Sequence, residues 1–242
     1  MQNMTAEPKK VSFERNAGLP TQGYWLDFTP GNPEAIHDFC GAHEIHGGQC
    51  PYCSKPLVRV LSLDSSDARL GVDASKTPVV HLLYCWTCSI PYGEFSYRIH
   101  SDDSIEILQI PPIYRYAFGA DGPYSGYTGE FPHRRAALKP LSEKEQAQLQ
   151  SAATGNTEPP SELAVPRHQV GGFPFIYNPS VVACPSCSGE IPLLAAICDA
   201  AGVSGGENEV PVEHRFTGDD SKQMIFHFCR PCSVVVAYHS NE

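Results

Sequence analysis

Four Cys-x-x-Cys pairs constrain this chain more than anything else in it. Cys50-Pro-Tyr-Cys53 is followed by Cys85-Trp-Thr-Cys88, and Cys184-Pro-Ser-Cys187 by Cys229-Arg-Pro-Cys232. A Cys-x-x-Cys sets two sulfurs on one tight knuckle, facing one point. Two knuckles supply four thiolates, the donor set of a tetrahedral zinc with Zn–S bonds of about 2.3 Å. The 31 and 41 residues between paired knuckles leave room for a hairpin or small sheet. With four sulfurs and no open position for water, both sites read as structural zinc. The expected ligands are Cys50, Cys53, Cys85 and Cys88 for one ion, and Cys184, Cys187, Cys229 and Cys232 for the other.

A disulfide framework fits poorly. Eight of the ten cysteines fall in these pairs, and a bridge within a Cys-x-x-Cys closes too small a loop to staple a fold. Residues 1–10 are polar and lack the apolar stretch of a secretory signal, and no run is apolar enough to span a bilayer. A reducing, cytoplasmic setting with bound metal is the simpler expectation. The net charge of −10 over 242 residues argues against broad nucleic-acid binding, which needs concentrated Lys and Arg.

Residues 55–63 alternate in the manner of a strand, and apolar strand-like runs cover 24–28, 79–84, 95–99, 105–110, 191–198, 224–228 and 234–238. Residues 34–43, after Pro33, read as a short helix. It carries His37, Cys40 and His43, with His46 just beyond; their spacing drifts around a helix. A buried cysteine near surface histidines is therefore a plainer reading than a further metal site. Ser142 and Glu145 form a capping-box signature for a helix reaching Ala152. Segment 111–135 sets Tyr114, Tyr116, Phe118, Tyr124, Tyr127 and Phe131 among Gly, Pro and Arg. It reads either as a binding surface or, preferably, as a wrap that buries its rings.

The expected fold is mainly β (β-rich α+β) with few short helices: two similar zinc-clipped lobes from an internal duplication, packed as one compact unit. The divisions are a flexible 1–17, a first lobe over 18–138, a linker with a short helix over 139–167, and a second lobe over 168–242. In both halves a Gly/Pro turn precedes a Cys-x-x-Cys, Pro-Leu opens a strand (Pro56-Leu57; Pro192-Leu193), and a later strand runs into the second knuckle. This alignment matches Gly18-Leu19-Pro20 to Gly171-Gly172-Phe173-Pro174.

His168-Gln169-Val170-Gly171-Gly172-Phe173-Pro174, then Cys184-Pro-Ser-Cys187, then Phe226-His227-Phe228-Cys229-Arg-Pro-Cys232 resembles the YwqG-like bacterial family, whose function is unassigned. The first half, with its Cys-x-x-Cys, Pro-Leu and His81-Leu82-Leu83-Tyr84-Cys85, is similar to the related programmed cell death protein 2 family. The resemblance covers most of 18–110 and 168–240. It implies a β-rich fold with duplicated halves. Eukaryotic members of the group look like chaperones for a ribosomal protein, and some bacterial members look linked to toxin–immunity loci. It supplies no catalytic residues. The chain lacks the MYND-type zinc module of some eukaryotic members.

No P-loop, dinucleotide-binding glycine pattern, G-x-S-x-G or H-E-x-x-H occurs. The leading expectation is a non-enzymatic, zinc-stabilised protein-interaction module. It acts as an immunity protein or chaperone on a basic partner protein, which an acidic surface suits. The alternatives are a nucleic-acid-binding zinc-ribbon protein using Lys55, Arg59 and Arg230, and an enzyme using Cys40 or the histidines. Cys198 ends an apolar run and reads as a small buried hydrophobe.

Overall fold

The computed structural model describes residues 22–85, 93–110, 131–155, 157–164, 167–176, 178–198 and 222–241. Residues 1–17, Cys88 and the aromatics at 114, 116, 118, 124 and 127 lie outside the described residues. Eleven strands dominate: β1 (Gly23–Asp27), β2 (His37–Phe39), β3 (Val58–Asp64), β4 (Val79–Tyr84), β5 (Phe95–Ile99), β6 (Ile105–Gln109), β7 (Arg134–Pro140), β8 (Gln169–Gly171), β9 (Leu193–Cys198), β10 (Lys222–Cys229) and β11 (Val234–Asn241). One α-helix, α1 (Glu143–Ala153), accompanies them among the described residues. The protein is mainly β, as its alternating apolar runs dictate.

All eleven strands join one antiparallel sheet in the order β4-β3-β2-β7-β1-β8-β9-β10-β11-β5-β6. The sheet curls into a half-barrel, which brings β4 against β11 and β5. The Tyr97 side chain bridges that seam. Its hydroxyl donates to the His81 carbonyl at 2.6 Å and accepts from the Leu83 N–H at 2.7 Å. Inside the curl lies one apolar core that includes Phe39, Leu61, Leu82, Tyr84, Phe95, Phe226 and Phe228, all buried.

Two elements differ from their sequence reading. Residues 37–39 are a strand, not part of a helix. β2 pairs with β3 through Asp38 and Ser62, and with β7 through Asp38 and Arg135. Hydrogen bonding on both sides, with His37 and Phe39 fully buried, overrides the helix-start signal of Pro33. β7 escaped notice because Arg134-Arg135-Ala136-Ala137-Leu138-Lys139-Pro140 has little β-branched or aromatic content. α1 forms where expected. Ser142 caps it, with the reciprocal Glu145 bond, and Leu149 packs beside Trp25, Leu141 and Leu163.

The sheet reads the same from two directions about its β1–β7 pair. β7 pairs with β2, and β1 with β8; β3–β4 then matches β9–β10. Register makes the correspondence residue by residue. Arg59 faces Leu83 as Leu193 faces His227, and Leu61 faces Leu82 as Ala195 faces Phe226. Both hairpins skip one residue at the same place, Val60 and Leu194. Outside them Phe39 faces Leu61 as Val170 faces Ala195. This register equates Cys40-Gly41 with Gly171-Gly172, and each of these four residues has a positive φ. By register Cys40-Gly41 in one half correspond to Gly171-Gly172 in the other; Gly18-Leu19-Pro20 lie outside the described residues. Even the buried histidines agree: His37 Nδ1 accepts the Asp64 N–H at 3.1 Å, and His168 Nδ1 accepts that of Cys198 at 3.2 Å.

Gly172 is held at φ +60, and a Cβ there would come within 2.7 Å of the Gly23 Cα. Gly155 has φ +72 but nothing within 4 Å. Gly155→Ala should therefore cost only the backbone penalty, about 1 kcal/mol, whereas Gly172→Ala must also push β1 from β8 and should cost about 3 kcal/mol or more. Chemical denaturation of the two variants beside the parent protein checks the difference.

Candidate metal centres

Each first knuckle sits at the tip of a very short hairpin. The bridge Gln49–Pro56 spans Cys50–Cys53, and Ala183–Glu190 spans Cys184–Cys187. Ser54 N–H donates to the Cys50 carbonyl, and Ser188 N–H to that of Cys184, both at 2.8 Å. To close that turn Ser54 and Ser188 each take φ +57. The second knuckle of the second half is built alike: Cys229 ends β10, Ser233 has φ +52 and β11 starts at Val234. Cys85 directly follows β4. Paired strands thus deliver the knuckles, and the Cys-x-x-Cys turns aim the sulfurs together.

The sulfurs of Cys184, Cys187, Cys229 and Cys232 all lie within 4.8 Å of one another, as do those of Cys50, Cys53 and Cys85. Cys53 and Cys85 are 3.8 Å apart, and Cys187 and Cys229 3.9 Å. A disulfide needs about 2.05 Å, whereas bonds of about 2.3 Å to a tetrahedral ion put sulfurs about 3.8 Å apart. These cysteines are free thiols at metal-chelating separation. Both clusters can hold a metal ion. The second is complete; the fourth expected ligand of the first, Cys88, lies outside the described residues.

Proton affinities inside the clusters diverge. The Cys85 thiol hydrogen bond pulls Cys50 down to about 5, against its burial. The Gly189 N–H lowers Cys187, while burial raises Cys229 and Cys232. Each cluster thus holds one thiol that ionises readily, and in the second cluster burial opposes ionisation of Cys229 and Cys232. A bound cation removes that opposition, because the thiolate is the ligating form.

The remaining candidates do not form a further cluster among the described residues. His37 Nε2–H donates to Asp67 at 3.2 Å, and Arg69 grips the same carboxylate. His43 Nε2–H donates to the Leu57 carbonyl at 2.6 Å, and His46 is exposed. Cys40 is fully buried, its S–H directed at the Val60 carbonyl, and burial pushes its pKa up to about 12, which rules out a ready nucleophile. Cys198 is fully buried against His168. Of the cations named for nucleic acid, Arg59 donates to the Cys40 carbonyl and Arg230 to that of Leu70.

Two groups were not legible in the sequence. Ser62 Oγ–H donates to His81 Nδ1 at 2.8 Å, and His81 Nε2–H to Asp103 at 2.9 Å. They border a groove with His43, Arg59 and Asp102. Strand register pairs Ser62 with His81, and the curl of the sheet brings the β5–β6 turn with Asp103 to them, from positions 19 and 22 residues apart. The second is His227, whose Nδ1–H donates to the Ile191 carbonyl at 2.9 Å and whose pKa burial pushes down to about 4. It lines a cavity between α1 and the segment around 172–182.

Comparison with protein-family models, with curated proteins and with solved structures finds no match to this chain. The resemblance drawn above rests on its motifs.

Cys187→Ser should remove one metal ion per chain, whereas Cys40→Ser and Cys198→Ser should keep the full complement, with any loss confined to packing. Native mass spectrometry of the three variants reads this directly.

Proposed function

We propose that this chain is a zinc-stabilised scaffold that binds a basic partner protein, and that its halves arose by duplication. The observation that carries the reading is the closed cluster Cys184, Cys187, Cys229 and Cys232: four sulfurs leave a tetrahedral ion no position for water or substrate. Such an ion holds strands and does no chemistry. Zinc is the metal that this all-thiolate set favours. The matching registers, skipped residues and knuckle turns support common descent of the halves. With a net charge of −10, the surface suits a basic partner, speeding encounter and rejecting acidic competitors. Nine free cysteines among the described residues fit a reducing compartment such as the cytoplasm. Among the described residues no helix is long and apolar enough to cross a membrane.

Two forms of the activity follow: an immunity protein that masks a basic toxin, and a chaperone that holds a basic client. On this reading the chain is a relative of the YwqG-like group, which it resembles through the motifs quoted above.

An acyl-transfer reading is favoured by one observation, the Ser62–His81–Asp103 chain. Its exposure runs opposite to that need. The nucleophile is 2% exposed while the carboxylate side chain is 48% exposed, and a hydrolase shields its acid and presents its serine. In the other half the matching positions of Ser62 and His81 are Ala196 and Ile225.

Affinity capture with the zinc-loaded protein should recover a basic protein, and raising the salt should weaken the complex mainly through slower association. A fluorophosphonate probe should leave Ser62 unlabelled. Recovery of acidic partners only, or stoichiometric labelling of Ser62, would overturn the binding reading.

A further inference from the structure

The four cysteines of the second cluster are not equally shielded. Cys184 and Cys229 are buried, at 1% and 3% exposure, and Cys232 is half-buried, but Cys187 is exposed. Its counterpart in the first half, Cys53, is half-buried and packs on the main core. The two knuckle turns match in their bridges and in φ at Ser54 and Ser188, so the turn itself does not make this difference.

A missing side chain contributes to it. Cys187 is followed by Ser188-Gly189, and Cys53 by Ser54-Lys55. A Cβ at Gly189 would lie 3.5 Å from Cys187 Sγ, so any side chain there starts in contact with the sulfur. Gly189 is outside the left-handed region, and its backbone does not demand glycine. Glycine leaves the sulfur uncovered. A second thiol stands next to it: Cys229 Sγ is 3.9 Å from Cys187 Sγ. Oxidation of cysteine follows thiolate character and exposure, and a redox-sensing cysteine has a second one beside it to resolve the product. A zinc ligand is a thiolate.

We infer that Cys187 is a site of oxidation by hydroperoxides, resolved by Cys229, and that this oxidation releases the metal ion of the second cluster. The Cys187 thiolate attacks the terminal oxygen of the hydroperoxide. An S–O bond forms, the O–O bond breaks, and the leaving oxygen anion takes a proton from water. The Cys229 thiolate then attacks the Cys187 sulfur: the S–S bond forms, the S–O bond breaks and hydroxide leaves. The two sulfurs give up two electrons, and one hydroperoxide takes them. The sulfurs close from 3.9 Å to about 2.05 Å. The ion loses two of its four donors and is shed, and with it the folding energy it lent this half. The effect reaches the other half. Arg98 of β5 donates to Ser186 Oγ inside this knuckle at 2.9 Å and to Glu106 of β6 at 2.8 Å, so the knuckle that oxidation loosens is fastened to the β5–β6 hairpin.

This inference rests on the zinc reading of the second cluster, and one experiment reads the two apart. The zinc of the full-length protein is first counted by native mass spectrometry. Hydrogen peroxide is then added in stoichiometric steps at neutral pH, while a chromophoric chelator follows released zinc. Dimedone traps sulfenic acid in a parallel sample, and peptide mass spectrometry maps disulfides after free thiols are blocked. Zinc should leave in step with a Cys187–Cys229 disulfide, and dimedone should mark Cys187 at doses that leave Cys53 unmarked. Gly189→Leu, which replaces no ligand and covers the sulfur, should keep its zinc and release the second-cluster ion several-fold more slowly. Zinc retained with Cys187 still alkylatable, dimedone found first on Cys184, Cys229 or Cys232, or a disulfide other than Cys187–Cys229 overturns the inference and leaves the zinc reading standing. A folded Gly189→Leu that releases zinc at the parent rate overturns it as well; should that variant fold poorly, the labelling and mapping of the parent protein still decide. Absence of zinc before any peroxide overturns the metal reading, and the release with it.

Discussion

Everything else in this structure depends on holding thiol sulfurs 3.8 to 3.9 Å apart. Sulfurs at that separation are neither bonded nor indifferent. Burial raises Cys229 in one cluster, while the Cys85 thiol hydrogen bond lowers Cys50 in the other. A cation bound there would collect the thiolate charge and couple metal binding to folding. The two clusters also sit at strand ends. Each ties the start of one hairpin strand to the end of the other, β3 to β4 and β9 to β10.

The second constraint is the β1–β7 pair. β1 precedes the first half's hairpin but pairs with β8 of the second, while β7 does the reverse with β2. Each half thereby borrows a strand, and neither has a complete sheet alone. The exchange joins the two cysteine clusters into one curled surface, and the matching registers let positions of the two halves be compared. Where both halves agree, as in the buried histidines that accept a backbone N–H, the scaffold demands the residue. Where they differ, as at Ser62 against Ala196 or His227 against Leu83, the scaffold is indifferent and the difference belongs to the surface each half presents.

The sequence carried the ligand set and most strands plainly, because a Cys-x-x-Cys and an apolar alternation are local signals. The Ser142–Glu145 cap was equally local, and α1 begins where that pair puts it. What the sequence hid was pairing. β2 looks helical in isolation and is a strand because β3 and β7 flank it. β7 has the composition of a linker and occupies the middle of the sheet. Ser62, His81 and Asp103 sit on separate elements, so no spacing rule could join them, and His227 looked like one more residue of a strand. The matching of Gly171-Gly172 with Cys40-Gly41 was hidden for the same reason. Only register shows that a cysteine with φ +54 occupies the place of a glycine.

Closed metal centres and an acidic surface define what kind of work remains for the molecule. A tetrahedral ion with four sulfur ligands offers substrate no coordination site, and Cys40 and Cys198 are sealed inside the sheet. The chemistry-bearing groups that do reach a concavity differ between the halves. In the first half Arg59, His43 and the Ser62–His81–Asp103 chain make a polar groove. In the second the corresponding strands, with Leu193 in the place of Arg59, back a mainly apolar cavity lined also by Glu190 and His227. The two halves share their strand registers but differ in the recesses they back. A polar recess and an apolar one on a single rigid sheet can read two features of one partner. Their fixed separation then sets the spacing that partner must have.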